Sequence, residues 1–193
     1  MIKEELYTII DLLERSCRKF PENVYLWEKR EGRYQATTYL ETREQARFVA
    51  AGLIANGLQA GERVALLSEG CNDWVFGELG ILYAGGVNVP LSIKLTTREL
   101  IFRINHSGAR FLFLSAHYLG MIQEIEPEIP EVERIFVFHY ALPETGKYAS
   151  FEQLKKTGCL YTSEYPEDLQ KRTLAVKPDD VANISYTSGT TAE

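Results

Sequence analysis

Cysteine is scarce in this sequence, and its positions exclude two kinds of structural site. Only Cys17, Cys71 and Cys159 are present among 193 residues. They are too few and too scattered to form a disulfide framework or a zinc site. The amino terminus also lacks the apolar run that is typical of a signal peptide. We therefore expect free thiols in a reducing, cytoplasmic environment.

Long hydrophobic runs and an excess of positive charge are also absent. The most apolar stretch, residues 79–93, is interrupted by Gly85, Gly86 and Pro90. It is too short and too broken to span a bilayer as a helix. The net charge of −6 argues against nucleic acid or a polybasic membrane surface as the main partner. Peripheral membrane contact and the oligomeric state stay open.

The composition and the length of the sequence are typical of one folded domain. Hydrophobic residues make up 45% of the chain and charged residues 25%, both ordinary for a globular domain. A chain of this length can bury one substantial core, with room for a small satellite subdomain. No internal repeat is visible.

The first third of the chain predicts a helix, a hairpin and a second helix. Thr8 can cap a helix over residues 8–19, and the runs at 24–27 and 34–39 flank a charged turn that is typical of a hairpin. The predicted apolar face of the first helix consists of Ile9, Leu12, Leu13 and Cys17. A capping box at Thr38 opens a helix that ends near Gly57.

Beyond this point, short apolar strands alternate with helices. The predicted strands are residues 63–67, 87–90, 111–114 and 134–138, and further capping boxes begin at Thr96 and Ser150. Strands that are apolar on both faces and alternate with helices form parallel β-α-β units. We expect an α/β fold with a doubly wound, mostly parallel sheet flanked by helices. Residues 140–149 are predicted to be a loop, followed by short helices at about 150–156 and 163–172.

The last residues form a short apolar strand that runs into a hydroxyl-rich loop. A glycine allows the backbone to approach a ligand closely, and successive N–H groups make an anion-binding concavity. Hydroxyl groups add further hydrogen-bond donors. The loop is therefore suited to phosphate, although serine, threonine and glycine are also ordinary turn residues. The candidate phosphate-binding residues are Thr187, Ser188, Gly189, Thr190 and Thr191.

Residues 186–191 resemble the phosphate loop of the adenylate-forming (acyl-activating) enzymes. Three other segments match that family in the same order: residues 37–41, 57–67 and 82–91. Ala192 departs from the family's Gly or Ser, and its effect on the loop conformation is open. Residues 67–76 look most like the branch of long-chain fatty-acid–CoA ligases.

The resemblance implies an ATP-dependent ligase that activates a carboxylic acid, expected to be a fatty acid, as an acyl-AMP and transfers it to coenzyme A. It implies ATP, Mg²⁺ and coenzyme A as cosubstrates and cofactors. Residues 1–193 would then be an incomplete amino-terminal adenylation domain that stops within the phosphate loop, with the carboxyl-terminal domain absent. Such a piece would carry no catalytic residue and would be inactive alone. Two alternatives stay open: an enzyme that activates an amino or aryl acid or loads a carrier protein, and a non-catalytic binding module.

The remaining polar residues give weaker signals. His106, His117 and His139 lie near no Ser/Asp or metal-ligand pattern in the sequence, so no metal site is predicted. Cys71 precedes a predicted helix, where the pKa of a thiol can be lowered, but a structural role is favoured. The motifs of Walker-type ATPases and dinucleotide-binding oxidoreductases are both missing.

Overall fold

The computed structural model describes residues 7–141, 143 and 145–187. The described helices are α1 (Ile9–Lys19), α2 (Tyr39–Ala55), α3 (Asn72–Tyr83), α4 (Thr97–Ser107), α5 (Leu119–Ile125), α6 (Phe151–Glu164) and α7 (Pro166–Ala175). The described strands are β1 (Val24–Arg30), β2 (Arg33–Thr38), β3 (Arg63–Leu67), β4 (Val87–Pro90), β5 (Ala109–Ser115), β6 (Arg134–Phe138) and β7 (Tyr148–Ser150). None of the described helices is long and apolar enough to cross a membrane.

Five strands form one parallel sheet in the order β4-β3-β5-β6-β7, and β1 and β2 form a separate antiparallel hairpin. Alternate residues of each central strand face two different apolar clusters. On β5, Phe111 and Phe113 pack with the layer of α1, α2, α3, α6 and α7, whereas Leu112 and Leu114 pack with α4 and α5. Helices on both faces of a parallel sheet confirm the predicted doubly wound α/β class.

Four predicted helix starts are confirmed by their hydrogen bonds, although the one at Ser150 lacks the reciprocal bond of the predicted capping box. The helix predicted to begin at about residue 163 begins at Pro166 instead. Reciprocal capping boxes begin at Thr8, Thr38 and Thr96. At the start of α6, the Ser150 hydroxyl accepts a hydrogen bond from the backbone N–H of Gln153 at 3.1 Å. Each such cap satisfies backbone donors that the first helical turn leaves unpaired.

The structure corrects the predicted face of α1. Ile9 and Leu12 are about half exposed, whereas Ile10, Leu13 and Cys17 are buried. These three residues follow one another at helical spacing and pack into the cluster beneath α2 and α3. The prediction is therefore correct for Leu13 and Cys17 and wrong for Ile9 and Leu12, whereas Ile10 was missed.

Three predictions in the second half of the chain were incomplete. The predicted loop at 140–149 contains the start of β7, a three-residue edge strand that is too short to show alternation. Helix α6 continues to Glu164, well beyond the predicted end near 156, because it packs along α2. The predicted final strand is reduced to a single parallel bridge between Asn88 and Asn183.

The contact between Glu78 and Asn88 predicts a pH dependence of stability. Glu78 accepts a hydrogen bond from Asn88 Nδ2 at 3.1 Å; partial burial raises its pKa, and the hydrogen bond opposes that rise. The folded state therefore binds this proton more tightly than the unfolded state does, where the pKa is about 4.3. The stabilisation by protonation is complete below that value and is lost as the pH rises through the folded-state pKa.

Glu78→Gln removes the titration and keeps an oxygen acceptor for Asn88. We expect the free energy of unfolding of the wild type, relative to that of Glu78→Gln, to fall as the pH rises from about 4 through the folded-state pKa of Glu78. Urea denaturation of both proteins across that range measures the difference. Parallel pH profiles for the two proteins would contradict the prediction.

Candidate phosphate-binding edge of the sheet

The chain segment that leads to the predicted phosphate loop is held on the outer side of β4. The Asn88 N–H donates to the carbonyl of Ala182 at 3.0 Å, and the Ile184 N–H donates to the carbonyl of Asn88 at 2.9 Å. Asn88 is fully buried. Because the pairing is parallel, the segment runs in the same direction as β4, toward the carboxyl edge of the sheet. In open α/β sheets, ligands bind in the crevice outside that edge.

Pro90 explains why this pairing stops after one bridge. The N–H groups of Val87 and Leu91 donate inward, to a carbonyl just before β3 and to one within it, whereas that of Asn88 donates outward. The next outward position on β4 is Pro90, which has no N–H to donate. The segment therefore loses a ladder partner after Ile184 and can turn away as a loop.

Tyr186 provides a second anchor just before the loop. Its hydroxyl lies 2.8 Å from His106 Nδ1 and 3.3 Å from the backbone carbonyl of Arg103, both on α4. The Arg103 guanidinium carbon lies 5.3 Å from the centre of the tyrosine ring, a cation–π contact. Burial raises the pKa of the Tyr186 phenol and the Arg103 charge opposes the rise, so the phenol stays protonated as a donor at neutral pH.

The structure shows only the entrance of the predicted phosphate loop. Thr187 follows the Tyr186 anchor directly and is exposed. Its hydroxyl is therefore available to a ligand. The other predicted residues (Ser188, Gly189, Thr190 and Thr191) lie outside the described part of the chain, so their role stays a prediction.

The Tyr186 anchor predicts a local change in stability when its hydroxyl is removed. Tyr186→Phe loses the hydrogen bonds to α4 and keeps the ring, at a cost of about 1 kcal/mol to local opening. We expect the amide proton of Ile184 to exchange with solvent roughly five times faster in the variant. Hydrogen exchange followed by NMR measures this. Tyr34→Phe, at a tyrosine that is 70% exposed on the hairpin, serves as the control and should leave that amide unchanged.

A second polar cluster at the carboxyl edge was not predicted. His139 follows β6, and its Nδ1 lies 3.4 Å from Oδ2 of Asp73, at the start of α3. Its Nε2 lies 4.0 Å from Oε1 of Glu28 on the hairpin. The sequence pattern around His139 did not reveal these two acidic partners. The three residues are far apart in sequence, so no local spacing could reveal them.

Cys71 lies in the same cluster but differs from its predicted character. Burial raises the pKa of the thiol, and the nearby carboxylates of Asp73 and Glu28 add to that rise. These effects outweigh the backbone N–H at the start of α3, which lowers the pKa. The suggestion of a lowered pKa at this helix start is thus wrong.

A large cavity lies away from the predicted loop. Its volume is about 650 Å³, and its lining includes α1, residues 85–87 and residues 175–178. Neither Tyr186 nor Thr187 lines it. The described start of the predicted loop therefore does not open into this cavity.

Comparison with solved structures places this architecture among acid–CoA ligases. An anthranilate CoA ligase solved with anthranoyl-AMP superposes with a TM-score of 0.77 at 25% identity, covering 97% of this chain and 33% of that chain. A coronafacic acid ligase from Pectobacterium brasiliense superposes with a TM-score of 0.75 at 20% identity, covering 90% of this chain and 32% of that chain. The second likeness shows the fold alone.

Comparison of sequences agrees with the structural result. A crotonobetaine/carnitine–CoA ligase of Escherichia coli O1:K1 is 30% identical over 160 residues, which cover 80% of this chain and 29% of the relative. The same enzyme of Escherichia coli K12 shows the same identity and coverage. The family model described as "AMP-binding enzyme" matches residues 13–193. The chain spans under a third of the length of these curated relatives, and it belongs to the family of AMP-binding, adenylate-forming enzymes.

Proposed function

We propose that this chain supplies the phosphate-binding edge of a ligase that activates a carboxylic acid with ATP and transfers it to coenzyme A. The observation that carries the proposal is the anchored segment 182–187, which runs toward the carboxyl edge of the sheet and leads to the exposed Thr187. The names of the relatives support it, since those proteins are CoA ligases.

The proposed reaction has two steps. A carboxylate oxygen attacks the α-phosphorus of ATP, the bond to the β-phosphate oxygen breaks, and pyrophosphate leaves. The sulfur of coenzyme A then attacks the acyl carbon, AMP leaves, and the thiol proton is released. Negative charge on the phosphates opposes the first step, so donors fixed in position before the reaction lower its barrier.

The residues of the loop would hold the β- and γ-phosphates. The hydroxyl of Thr187 is a neutral donor, and the anchors at Asn88 and Tyr186 fix the segment from which it projects. Magnesium would arrive as the chelate of ATP and prefers oxygen ligands, the class to which the threonine hydroxyl belongs. The proposed phosphate-binding loop is completed by Ser188, Gly189, Thr190 and Thr191.

For the acid, we propose a fatty acid, from the resemblance of residues 67–76. The relatives carry names of other acids, crotonobetaine or carnitine and anthranilate. Acid-dependent exchange of pyrophosphate into ATP, measured with full-length protein on fatty, aryl and betaine-type acids, separates these classes. If none of the acids supported exchange, the proposal would be refuted and a non-catalytic binding module would be favoured.

A pair of variants tests the loop itself. Thr187→Val keeps the shape of the side chain and removes its donor, so we expect at least a tenfold loss of exchange activity. Ser185→Ala is the matched control, because the Ser185 hydroxyl hydrogen-bonds to Asn183 within the anchored segment. It should stay within about twofold of the wild type. Equal activity of both variants would remove Thr187 from the site.

We further propose that the 193-residue chain alone forms no acyl-CoA, and that it acts in the cytoplasm. Acyl-CoA production by the isolated chain, measured by mass spectrometry with ATP and a panel of acids, would refute the first statement.

A further inference from the structure

We propose that Glu28, Cys71 and His139 form a binding site for a borderline-soft divalent metal ion such as Zn²⁺. One ligand atom from each residue lies within 4.8 Å of the other two. The set combines a thiol, an imidazole and a carboxylate, which are the three ligand types that zinc takes in proteins. This inference is independent of the proposed ligase activity.

The three ligands come from separate elements that the fold brings together. Glu28 lies on β1 of the hairpin, Cys71 is the N-cap residue of α3, and His139 follows β6. A tetrahedral zinc site with Zn–N and Zn–O bonds near 2.1 Å needs nitrogen and oxygen about 3.4 Å apart. The 4.0 Å between His139 Nε2 and Glu28 Oε1 is therefore within a small side-chain rotation of that geometry.

The surroundings of His139 match those of a metal-binding histidine. Its Nδ1 lies 3.4 Å from Oδ2 of Asp73, a side chain that is 4% exposed. Ligating histidines usually donate their second nitrogen to such a carboxylate, which fixes the tautomer that leaves the other nitrogen available. His139 also has a positive φ of 51°, a conformation that costs energy in residues other than glycine. That backbone directs the ring toward the hairpin.

Both carboxylate oxygens of Glu28 have a partner, but Oε1 keeps a lone pair for a metal. The guanidinium of Arg30 pairs with Oε2, and the backbone N–H of Asn72 donates to Oε1 at 3.2 Å. A carboxylate oxygen with one such bond keeps a further lone pair. Three protein ligands leave a fourth position for water or another ligand, as in zinc sites that stay open.

The local charge favours a cation. The carboxylates of Glu28 and Asp73 lie beside His139. Arg30 pairs with Glu28, and Lys155 pairs with both Asp73 and Glu152, so three carboxylates stand against two positive charges. With the thiol and imidazole neutral, one negative charge is left over. Metal binding also releases the thiol proton, so it adds a thiolate to the set. The competing interpretation is a polar cluster in which His139 bridges two carboxylates without any metal.

Cobalt(II) and zinc titrations of the purified, reduced protein test the proposal. We expect one equivalent of cobalt to produce a thiolate-to-metal charge-transfer band in the near ultraviolet, which zinc displaces. Cys71→Ser should abolish that band, whereas Cys159→Ser, at an exposed cysteine, should leave it unchanged. His139→Asn removes the imidazole but tolerates positive φ, and it should weaken zinc binding at least tenfold.

Asp73→Asn probes the orienting carboxylate and should weaken zinc binding by about 10- to 100-fold. Circular dichroism establishes that each variant is folded. The absence of a saturable cobalt band in the wild type, or a band that survives in Cys71→Ser, overturns the proposal. Equal zinc affinity of wild type and folded His139→Asn overturns it as well, even if Cys71→Ser fails to fold.

Discussion

Gly158→Ala is expected to destabilise this protein by about 3 kcal/mol or more, a large part of the 5–15 kcal/mol that typically separates folded from unfolded chains. A Cβ atom at Gly158 would lie 1.8 Å from the carbonyl oxygen of Phe48 and 2.6 Å from the backbone nitrogen of Gly52. Both are backbone atoms of α2, so no side-chain rotation can relieve the overlap. The helices α2 and α6 would have to separate.

Gly120→Ala is the matched control, since Gly120 is also helical and a Cβ there meets nothing within 4 Å. It should stabilise the protein by up to about 1 kcal/mol, because alanine restricts the unfolded chain and favours the helix. Urea denaturation of the three proteins gives the comparison. A free energy of unfolding for Gly158→Ala within about 1 kcal/mol of the wild type would contradict the predicted close crossing. Gly52→Ala should resemble Gly158→Ala, since its Cβ would lie 2.3 Å from the carbonyl oxygen of Leu154.

Phe113→Ala is the second substitution with a large expected effect. It should lower the free energy of unfolding by about 3–5 kcal/mol. Phe113 is fully buried at the centre of the sheet, on β5. Its ring centre lies 5.2 Å from that of Phe151 and 5.8 Å from that of Phe136, both in edge-on arrangements that add to the energy of burial. Removing the ring would leave a cavity between the sheet and α6.

Phe102→Ala provides the control for this substitution. Phe102 is 59% exposed on α4, so its removal should cost less than about 1 kcal/mol. Thermal and urea denaturation measure both variants. If both variants lowered the free energy of unfolding by a similar amount, the ring cluster on β5 would contribute little beyond ordinary surface contacts.

The central sheet was the most predictable part of this fold. Strands β3, β4 and β6 begin and end where the sequence predicts, because each is a short apolar run bounded by polar or glycine-rich turns. The capping boxes fixed the starts of α1, α2 and α4 for a local reason as well. A hydroxyl and a carboxylate three residues apart satisfy each other's backbone donors without help from the rest of the fold.

Features that depend on distant residues could not be predicted in this way. The length of α6 is set by its packing on α2, where Gly52 and Gly158 allow close approach, so tertiary contact overrides the weak helical preference of a glycine. The cluster of Glu28, Asp73 and His139 forms only when the hairpin, α3 and the end of β6 meet. At the candidate loop, the hydroxyl-rich composition was visible in the sequence, but the contact of Tyr186 with His106 was not.

Pro90 has one further consequence, which concerns the order in which parts of the molecule come apart. Since the described part of the final segment, up to residue 187, shares one bridge with the sheet, it can detach while the five parallel strands stay intact. A protease should therefore cut the chain near its carboxyl end long before it attacks the core. A ligand that binds this segment should slow its cleavage strongly. The same ligand should raise the melting temperature of the sheet only slightly.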